Sequence, residues 1–305
     1  MRLTQEHKEL QRTIERFVEN EINPHVATWE KEQMFPAHAL FKKMGDLGLL
    51  GLTKPEEFGG MGLDYSYSVV AAQALGKIHC GGVPMAIGVQ TDMATPALAR
   101  FGSDELRREF LAPAVGGARK DGSDYVINGS KMWITNSLQA DWICLLANTS
   151  EGKPHQNKSL IIVPMKTPGI TIEKKIHKIG MWASDTGLIH FDNVRVPQRN
   201  LIGMEGAGFM YQMIQFQEER LWGAANSIEG MMHVLNETIN YTRQRNLFGS
   251  TVLDQQVVHF TLAELKTEIE ALRALVWQAT EEYVAGGEVT ELASMCKLRV
   301  SGISG

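Results

Sequence analysis

The sequence predicts an α+β protein in which a small β unit lies between two helical segments. Apolar residues recur at helical spacing through roughly the first 115 of the 305 residues. Short runs rich in β-formers, divided by turn residues, follow between about residues 118 and 200, and the helical period returns after Phe209. These changes of period predict three domains: a helical one over 1–117, a β one over 118–204 and a helical bundle over 205–305.

Helix-start signals indicate where the helices of the first domain begin. Thr4 is suited to accept the free backbone N–H groups of a helix that carries Leu10 and Ile14 on one face. A second helix is expected after Pro36, and a third after Ser103, which again offers a side-chain oxygen just before the helix. The first domain is therefore expected to be helical.

The β domain opens on the stretch DYVINGSKMWITN. Its Asn128-Gly129 pair, between runs of β-formers, predicts a hairpin with a tight two-residue turn. In the strand that follows, strict alternation would put Trp133 and Thr135 on one face and Ile134 on the other. Further strands are expected at WICLLA, SLIIVP, ITIEKK and LIHFDNVRV, with a turn at 167–169.

The last domain is expected to contain two long antiparallel helices and a third that begins near Val289. The stretch RQRNLFGSTVLDQQ would join the long pair. The ending KLRVSGISG is polar and rich in Gly and Ser, so we expect the third helix to stop early and the bundle to be truncated. A truncated bundle would leave an apolar face on Val258, Leu262 and Leu265 uncovered.

The composition argues against several classes of protein. A formal charge of -5 gives no basic footprint for nucleic acid, and no apolar run approaches the roughly 20 residues of a membrane span. The three cysteines form no CxxC pair and the nine histidines show no HxxxH or HxH spacing, so no metal site is expected. The first residues are polar and too acidic for an ordinary transit peptide.

Residue types alone favour ordinary structural roles over functional roles for the candidate site residues. A tryptophan such as Trp133 is more often a half-buried core side chain than a cofactor platform. Adjacent Glu218 and Glu219 are more often a solvated charge pair, and Glu218 is the nearer of the two to the apolar face of its helix. The run EGAGF lacks the third glycine and the Lys-Ser/Thr of a phosphate-binding loop.

The order of four motifs changes this picture. The stretches YVINGSKMWITN, MWASDTGLIHFDNVRVP, GAGF and YTRQRNLFG, in that order, resemble the acyl-CoA dehydrogenase family. The resemblance implies a helical amino-terminal domain, a small β-barrel middle domain and a helical carboxyl-terminal bundle. It also implies FAD as cofactor, conversion of an acyl-CoA thioester to the trans-2-enoyl-CoA, electron transfer to electron-transfer flavoprotein, and a homo-oligomer, a tetramer in the family. The location would be the mitochondrial matrix in a eukaryote and otherwise the cytoplasm.

The same resemblance assigns roles to individual residues. Glu219, in a Glu-Arg-Leu sequence like that of the long-chain and isovaleryl branches, would be the catalytic base. Trp133 would pack against the flavin ring, with Ile134 beside it and Thr135 near its N5. Around the interhelix loop, Arg245, Phe248 and Gln256 would contact the FAD of a neighbouring subunit, and Leu247 and Gln255 would also bind the cofactor. Three would contact the substrate: Ser184, Gln217 and Arg220.

Two departures from the family pattern leave alternatives open. EFLAPAVGG runs directly into ARKDGSDYVING, so a strand and its flavin-embracing loop are expected to be missing at Gly116 and Gly117. Together with the truncated bundle, this predicts that the chain alone holds little FAD and is prone to aggregate. The alternatives to a working dehydrogenase are a catalytically silent variant that associates with full-length subunits and an acyl-CoA oxidase.

Overall fold

The computed structural model describes residues 3–115, 124–151, 153 and 155–303. The predicted join at Gly116 and Gly117 lies outside the described residues. The chain forms two compact units, which are described separately below. One unit comprises Met1–Pro24, Tyr65–His79 and Arg220–Gly305, and the other comprises His25–Asp64 and Cys80–Glu219.

Helices occupy both ends of the chain, as predicted. Thr4 caps the first helix by accepting the His7 N–H, and Ser103 accepts the Leu106 N–H in the same way. The helix expected after Pro36 begins at Ala37. The α-helices are α1 (Gln5–Phe17), α2 (Val26–Glu32), α3 (Ala37–Asp46), α4 (Tyr65–Leu75), α5 (Gly82–Gly88), α6 (Pro96–Phe101), α7 (Asp104–Leu106), α8 (Ala112–Val115), α9 (Gly208–Gln244), α10 (Gln256–Val284) and α11 (Thr290–Ile303).

Shorter helical turns connect these helices. Among the described residues, three segments are wound as π-helix, in which each turn takes in one more residue than an α-turn: Val18–Ile22, Val89–Ala94 and Arg107–Leu111. Four are single 3₁₀ turns: Asn23–His25, Glu56–Phe58, Gln198–Asn200 and Val252–Asp254.

The strands of the middle region form two three-stranded sheets. The order is β1-β5-β4 in the first sheet and β2-β3-β6 in the second, with antiparallel pairing throughout. The α+β class is confirmed, and the described strands form sheets that do not close into a barrel, in agreement with the incomplete barrel that was expected. The strands are β1 (Asp124–Thr135), β2 (Trp142–Asn148), β3 (Lys158–Pro164), β4 (Ile170–Lys175), β5 (Thr186–Pro197), β6 (Leu201–Ile202), β7 (Asn246–Leu247) and β8 (Ser250–Thr251).

The hairpin predicted at Asn128-Gly129 is wrong. Both residues lie inside the continuous strand β1, which pairs with β5 over its whole length. Asn128 lies beside a bulge in the partner strand, where its side-chain oxygen accepts the Asn193 N–H at 2.8 Å. Asn193 adopts a φ of 49° within this bulge, and Gly129 also has a positive φ, of 139°.

A second bulge interrupts the alternation of β1 itself. Lys131 pairs with Ile189 and Ile134 with Gly187, so β1 contains one residue more than its partner between these pairs. Trp133 lies in this bulge with a φ of 65°. The bulge interrupts the regular alternation of side chains at Trp133. Strict alternation therefore cannot be used to place Trp133 and Thr135 on one face.

Strand β3 lies at the centre of its unit, with both faces buried. Leu160 and Ile162 pack into a cluster with residues of α6 and the Arg107–Leu111 segment, while Ile161 and Val163 pack into a cluster with β1 and β5. The two sheets thus face each other across the second cluster, and helices cover the outer face of β3.

The other unit is a helical bundle in which α1 packs on α4, and α10 packs on both α4 and α11. Leu262, expected to be uncovered, is only 8% exposed, and Val258 and Leu265 are half-buried. The prediction of an open apolar face there is wrong. The third helix also continues through Ser301 and Gly302 to Ile303, instead of stopping early, because Val300 is buried against the bundle.

Candidate active site

A cavity of about 1200 Å³ lies within the unit His25–Asp64 and Cys80–Glu219. It is larger than the roughly 300 to 1,000 Å³ that is usual for one small ligand, so it has room for more than one ligand group. Its walls come from α3, the Val89–Ala94 segment, the helical stretch around Phe110, the end of β1 with its following turn, β2, and the first three turns of α9.

The end of β1 supplies one wall of this cavity. Trp133, Ile134 and Thr135 all line it. The bulge turns the Trp133 side chain outward, where it is 67% exposed, while Ile134 packs against the buried cluster between the sheets. A large flat apolar surface and a hydroxyl group therefore lie on the same cavity.

The turn after β1 is fixed by a buried carboxylate. Asp185, which is fully buried, accepts the Leu138 N–H at 2.7 Å and the Gln139 side-chain amide at 3.1 Å. Gln139 in turn accepts the N–H of Ala37 at 3.1 Å, and Asn136 donates to the Ala86 carbonyl at 2.9 Å. These bonds hold the Thr135 end of the strand in place without help from a ligand.

Two polar atoms of the same turn are buried without a partner among the described residues. They are Oδ1 of Asn136 and Oγ of Ser137, and both residues line the cavity. A buried polar atom that lacks a hydrogen bond costs free energy, so such atoms often mark the place of a bound group. A flat aromatic surface, a hydroxyl group, and hydrogen-bonding oxygens that lack a partner are groups that fit a flavin.

Glu219 lines the cavity from α9, and Glu218 does not. Glu218 is only 4% exposed and forms an ion pair with Arg100. The solvated charge pair favoured by residue types alone is therefore wrong. Glu218 is the residue on the buried face of the helix, as its position relative to Leu221 predicted, and Glu219 is half-buried beside the cavity.

Further ionisable groups line the cavity, and each has a partner. His38 lies 3.1 Å from Asp141, Lys42 lies 2.7 Å from Asp46, and Glu109 lies 2.7 Å from Arg199. Cys144 is the one thiol among the lining residues, and burial raises its pKa to about 12.

Comparison with known proteins decides the family. Three family models match successive parts of the chain: the acyl-CoA dehydrogenase N-terminal domain at residues 4–118, the middle domain at 107–194 and the C-terminal domain at 206–303. The chain belongs to the acyl-CoA dehydrogenase family. The family fold expected from the four motifs is thus confirmed, and so is the expectation that the chain is of an enzyme family.

Relatives and solved structures agree with this assignment. The short-chain specific acyl-CoA dehydrogenase of Mus musculus mitochondria is 31% identical over 98% of this chain and 78% of its own length. The structure of an acyl-CoA dehydrogenase from Geobacillus kaustophilus superimposes with a TM-score of 0.92 at 34% identity, over 99% of this chain and 85% of the other. A glutaryl-CoA dehydrogenase from Mycobacterium smegmatis, solved in complex with FADH2, gives 0.87 at 27% identity, over 99% and 82%. FAD is the cofactor of the family.

The family substrate residue expected at Ser184 lies away from the lining of the cavity. Ser184 is 1% exposed, accepts from Lys178 Nζ at 2.9 Å and donates to the Met181 carbonyl at 3.1 Å. Gln217 and Arg220 are half-buried and are likewise not among the described lining residues. Substrate contact by these three residues stays a prediction.

The family residues expected to reach a neighbouring FAD lie around a small hairpin between α9 and α10. Strands β7 and β8 pair across a two-residue turn in which Phe248 and Gly249 adopt φ values of 52° and 86°. Phe248 is 94% exposed at the tip, and Leu247 is 41% exposed. Arg245 and Gln256 are exposed and Gln255 is half-buried, so a single chain leaves this group open to solvent.

Some lining residues were missed by sequence reasoning. Gln215 is 5% exposed, and its side-chain amide donates to the Met93 carbonyl. It lies four residues before Glu219 on α9, a spacing that places both on one helical face and could have revealed it. Ser137 carries no such signal, because only the turn held by Asp185 brings it to the cavity.

No helix among the described residues is long and apolar enough to cross a bilayer.

Proposed function

We propose that this chain catalyses the α,β-dehydrogenation of an acyl-CoA thioester. One observation carries the proposal: a single cavity brings together a half-buried carboxylate, an indole and a hydroxyl, from Glu219, Trp133 and Thr135. Glu219 lies more than 80 positions after Trp133 and Thr135 in the sequence, and the three are residues to which the family resemblance assigns the base and flavin contacts.

Glu219 is the proton acceptor in this proposal. A proton next to a thioester carbonyl is weakly acidic, so the base has to be held at the substrate in a site from which water is largely excluded. A carboxylate on α9, held by a long and regular helix, meets the first requirement. The apolar lining around it, which includes Phe41, Met93 and Phe110, supports the second.

Trp133 and Thr135 orient the cofactor. FAD, when bound, supplies the hydride acceptor for the β-hydrogen. The Trp133 indole offers a flat surface for the ring system, and the Thr135 hydroxyl offers a hydrogen bond at its edge. The unpartnered oxygens of Asn136 and Ser137 offer two further hydrogen-bonding positions in the same wall.

The family assignment supports three finer parts of the proposal. Electron-transfer flavoprotein is the electron acceptor, and the assembly is a homo-oligomer in which the Phe248 hairpin completes a neighbour's FAD site. The exposure of Phe248 in a single chain supports the second part. In a eukaryote the chain acts in the mitochondrial matrix, and otherwise in the cytoplasm.

The test is the anaerobic reduction of bound flavin by acyl-CoA, measured as the change in flavin absorbance. FAD is present in excess. Glu219→Gln removes the proton acceptor with little change in volume, and should lower the reduction rate by roughly 10²- to 10⁴-fold without loss of FAD binding. Asp141→Asn is the matched control, because it also removes a carboxylate from the cavity lining. Near-normal reduction by Glu219→Gln would remove Glu219 from the mechanism, and no reduction in the unaltered chain would favour the silent variant.

A further inference from the structure

A cluster of four charged side chains, three of them buried, lies next to one wall of the cavity. Lys54, Asp92 and Glu218 are 4%, 3% and 4% exposed, and the Arg100 side chain, which is 36% exposed, is ion-paired with Glu218. None of the four is among the described residues that line the cavity. Because two of them are cations and two are anions, the cluster has no net formal charge.

Hydrogen bonds tie this cluster to the cavity wall. Lys54 Nζ donates to the Thr91 carbonyl at 2.7 Å, and the Thr91 hydroxyl donates to Asp92 at 2.6 Å. The next residue, Met93, lines the cavity and accepts the side-chain amide of Gln215 from α9. Gln215 and Glu218 are three residues apart, so the face of α9 that bears them is fixed at two points.

The four charges act on one another. Burial lowers the pKa of Lys54, the charges of Asp92 and Glu218 raise it, and the charge of Arg100 lowers it. In a buried setting, a charge that loses its partner is costly, so each member of the cluster depends on the others.

Glu219 follows Glu218 directly in α9. The Glu218 carboxylate, one residue away, disfavours a second negative charge on Glu219, whereas the Arg100 guanidinium favours it. With both present, the two influences oppose each other. Removing either one alone would leave the other unbalanced next to the cavity.

We propose that the Arg100–Glu218 ion pair is a positioning pair that fixes the face of α9 from which Glu219 enters the cavity and sets how readily Glu219 takes up a proton. The role of Glu219 as base rests on the function proposed above. The proton affinity of Glu219 can be measured without it, so the two proposals can fail separately.

Other charged groups face the cavity with Glu219, and they are left unchanged by the test. They are His38, Lys42 and Asp46 on α3, Glu109 on the Arg107–Leu111 segment, and Asp141 after β1, and Arg220, which follows Glu219 directly on α9, is unchanged as well. Because each is present in every variant compared, a difference between variants reports on the Arg100–Glu218 pair.

The experiment is a carbon-13 NMR titration of side-chain carboxyl groups in the FAD-free full chain, with the Glu219 signal assigned by its absence in Glu219→Gln. Arg100→Gln should shift the titration midpoint of Glu219 to higher pH by about one unit, because the Glu218 charge is left unbalanced. Glu218→Gln should shift it to lower pH by about the same amount. The double variant should return it close to the original value.

Shifts of opposite sign cannot come from general loosening of the fold, which would move both single variants alike. Arg273→Gln is the control, since Arg273 pairs with Glu229 at 2.7 Å in the other unit and its loss should leave the Glu219 midpoint unmoved. If Arg100→Gln does not fold, Glu218→Gln and the double variant still give the sign. An unmoved midpoint, or shifts of the same sign, would overturn the proposal.

A second measurement separates this proposal from the proposed function. In the FAD-loaded chain, the pH midpoint of the flavin-reduction rate should move with the NMR midpoint in each variant. Opposite NMR shifts with full activity in Glu219→Gln would overturn the role of Glu219 as base and leave its control by the ion pair standing.

Discussion

At the scale of single residues, the Thr135 hydroxyl is the side-chain group whose contribution can be isolated most cleanly. Thr135→Val keeps the β-branched shape that suits the end of β1 and removes only the hydroxyl. A hydrogen bond to a polarised acceptor contributes about 1.5 to 3 kcal/mol, so flavin reduction should slow by roughly tenfold to a hundredfold. Stopped-flow reduction and a thermal melt would test this, with the exposed strand residue Thr171→Val as control. An unchanged rate and flavin potential would contradict the placement of Thr135.

The three thiols give a residue-scale prediction of chemical reactivity. Burial raises the pKa of Cys144 to about 12 and that of Cys296 to about 11, and it also raises the pKa of Cys80. The thiolate is the reactive form, so all three should be nearly inert at pH 8. Titration with a chromogenic disulfide should label the native chain slowly, and three thiols per chain should react once urea is added. Rapid labelling of one thiol in the native chain would contradict this.

Residue identity was predictable from sequence where a motif carried it and not where tertiary contacts did. Glu219, Trp133 and Thr135 were picked out by family resemblance, and the cavity brings all three together. The hydrogen bonds of Asp185 and the burial of Glu218 depend on segments distant in sequence. Periodicity could rank Glu218 as the inward residue but could not supply Arg100 as its partner.

At the scale of elements, α9 approaches the residue that follows α4 so closely that this residue has to be a glycine. A β-carbon at Gly76 would lie 2.3 Å from the Asn226 carbonyl oxygen, while one at Gly223 would meet nothing within 4 Å. Gly76→Ala should therefore destabilise the chain by about 1 to 3 kcal/mol through overpacking. Gly223→Ala, in the interior of α9, should stabilise it by about 0.5 to 1 kcal/mol through helix propensity. Urea unfolding of both variants checks this, and equal effects would contradict it.

Helices were predicted well because their signals are local. Thr4 and Ser103 cap the helices they were expected to cap, since an N-cap bond spans only three residues. The Asn128-Gly129 hairpin failed because strand pairing is not local: β1 finds its partner in β5, some 60 residues later, and a local turn signal cannot compete with that ladder. The prediction of an uncovered apolar face on α10 failed because α11 packs against that helix.

At the scale of the whole molecule, FAD retention should depend on assembly. Phe248 and Leu247 are exposed and are not among the described lining residues of the cavity, and in the proposed assembly they contact the FAD of a second copy. FAD should therefore be lost on dilution of the purified chain, in keeping with the expectation that the chain alone holds little of it. Phe248→Ala should weaken FAD binding by at least about tenfold, as expected for an aromatic anchor.

The matched control for that variant is Leu298→Ala on α11, which removes a side chain that is 75% exposed and lies outside the hairpin. Fluorescence titration of FAD, with sedimentation velocity at the same protein concentrations, measures both binding and assembly. FAD affinity that is independent of protein concentration and unaffected by Phe248→Ala would show that each site is complete within one chain.

The two bulges between β1 and β5 have a consequence for insertions and deletions. The first adds a residue to β5 after Phe191 and the second adds one to β1 after Lys131, so the pairing of Asp124 with Pro197 and that of Thr135 with Thr186 belong to the same register. Deleting the extra residue of either bulge would leave the pairs on both sides of that bulge intact, because the extra residue has no partner in the opposite strand. A deletion elsewhere in β1 would shift the pairing on one side of it, since a slip of one residue reverses every side chain beyond it. The two bulges are therefore the places where this strand pair can lose one residue, singly or together, without turning Thr135 away from its face of the sheet.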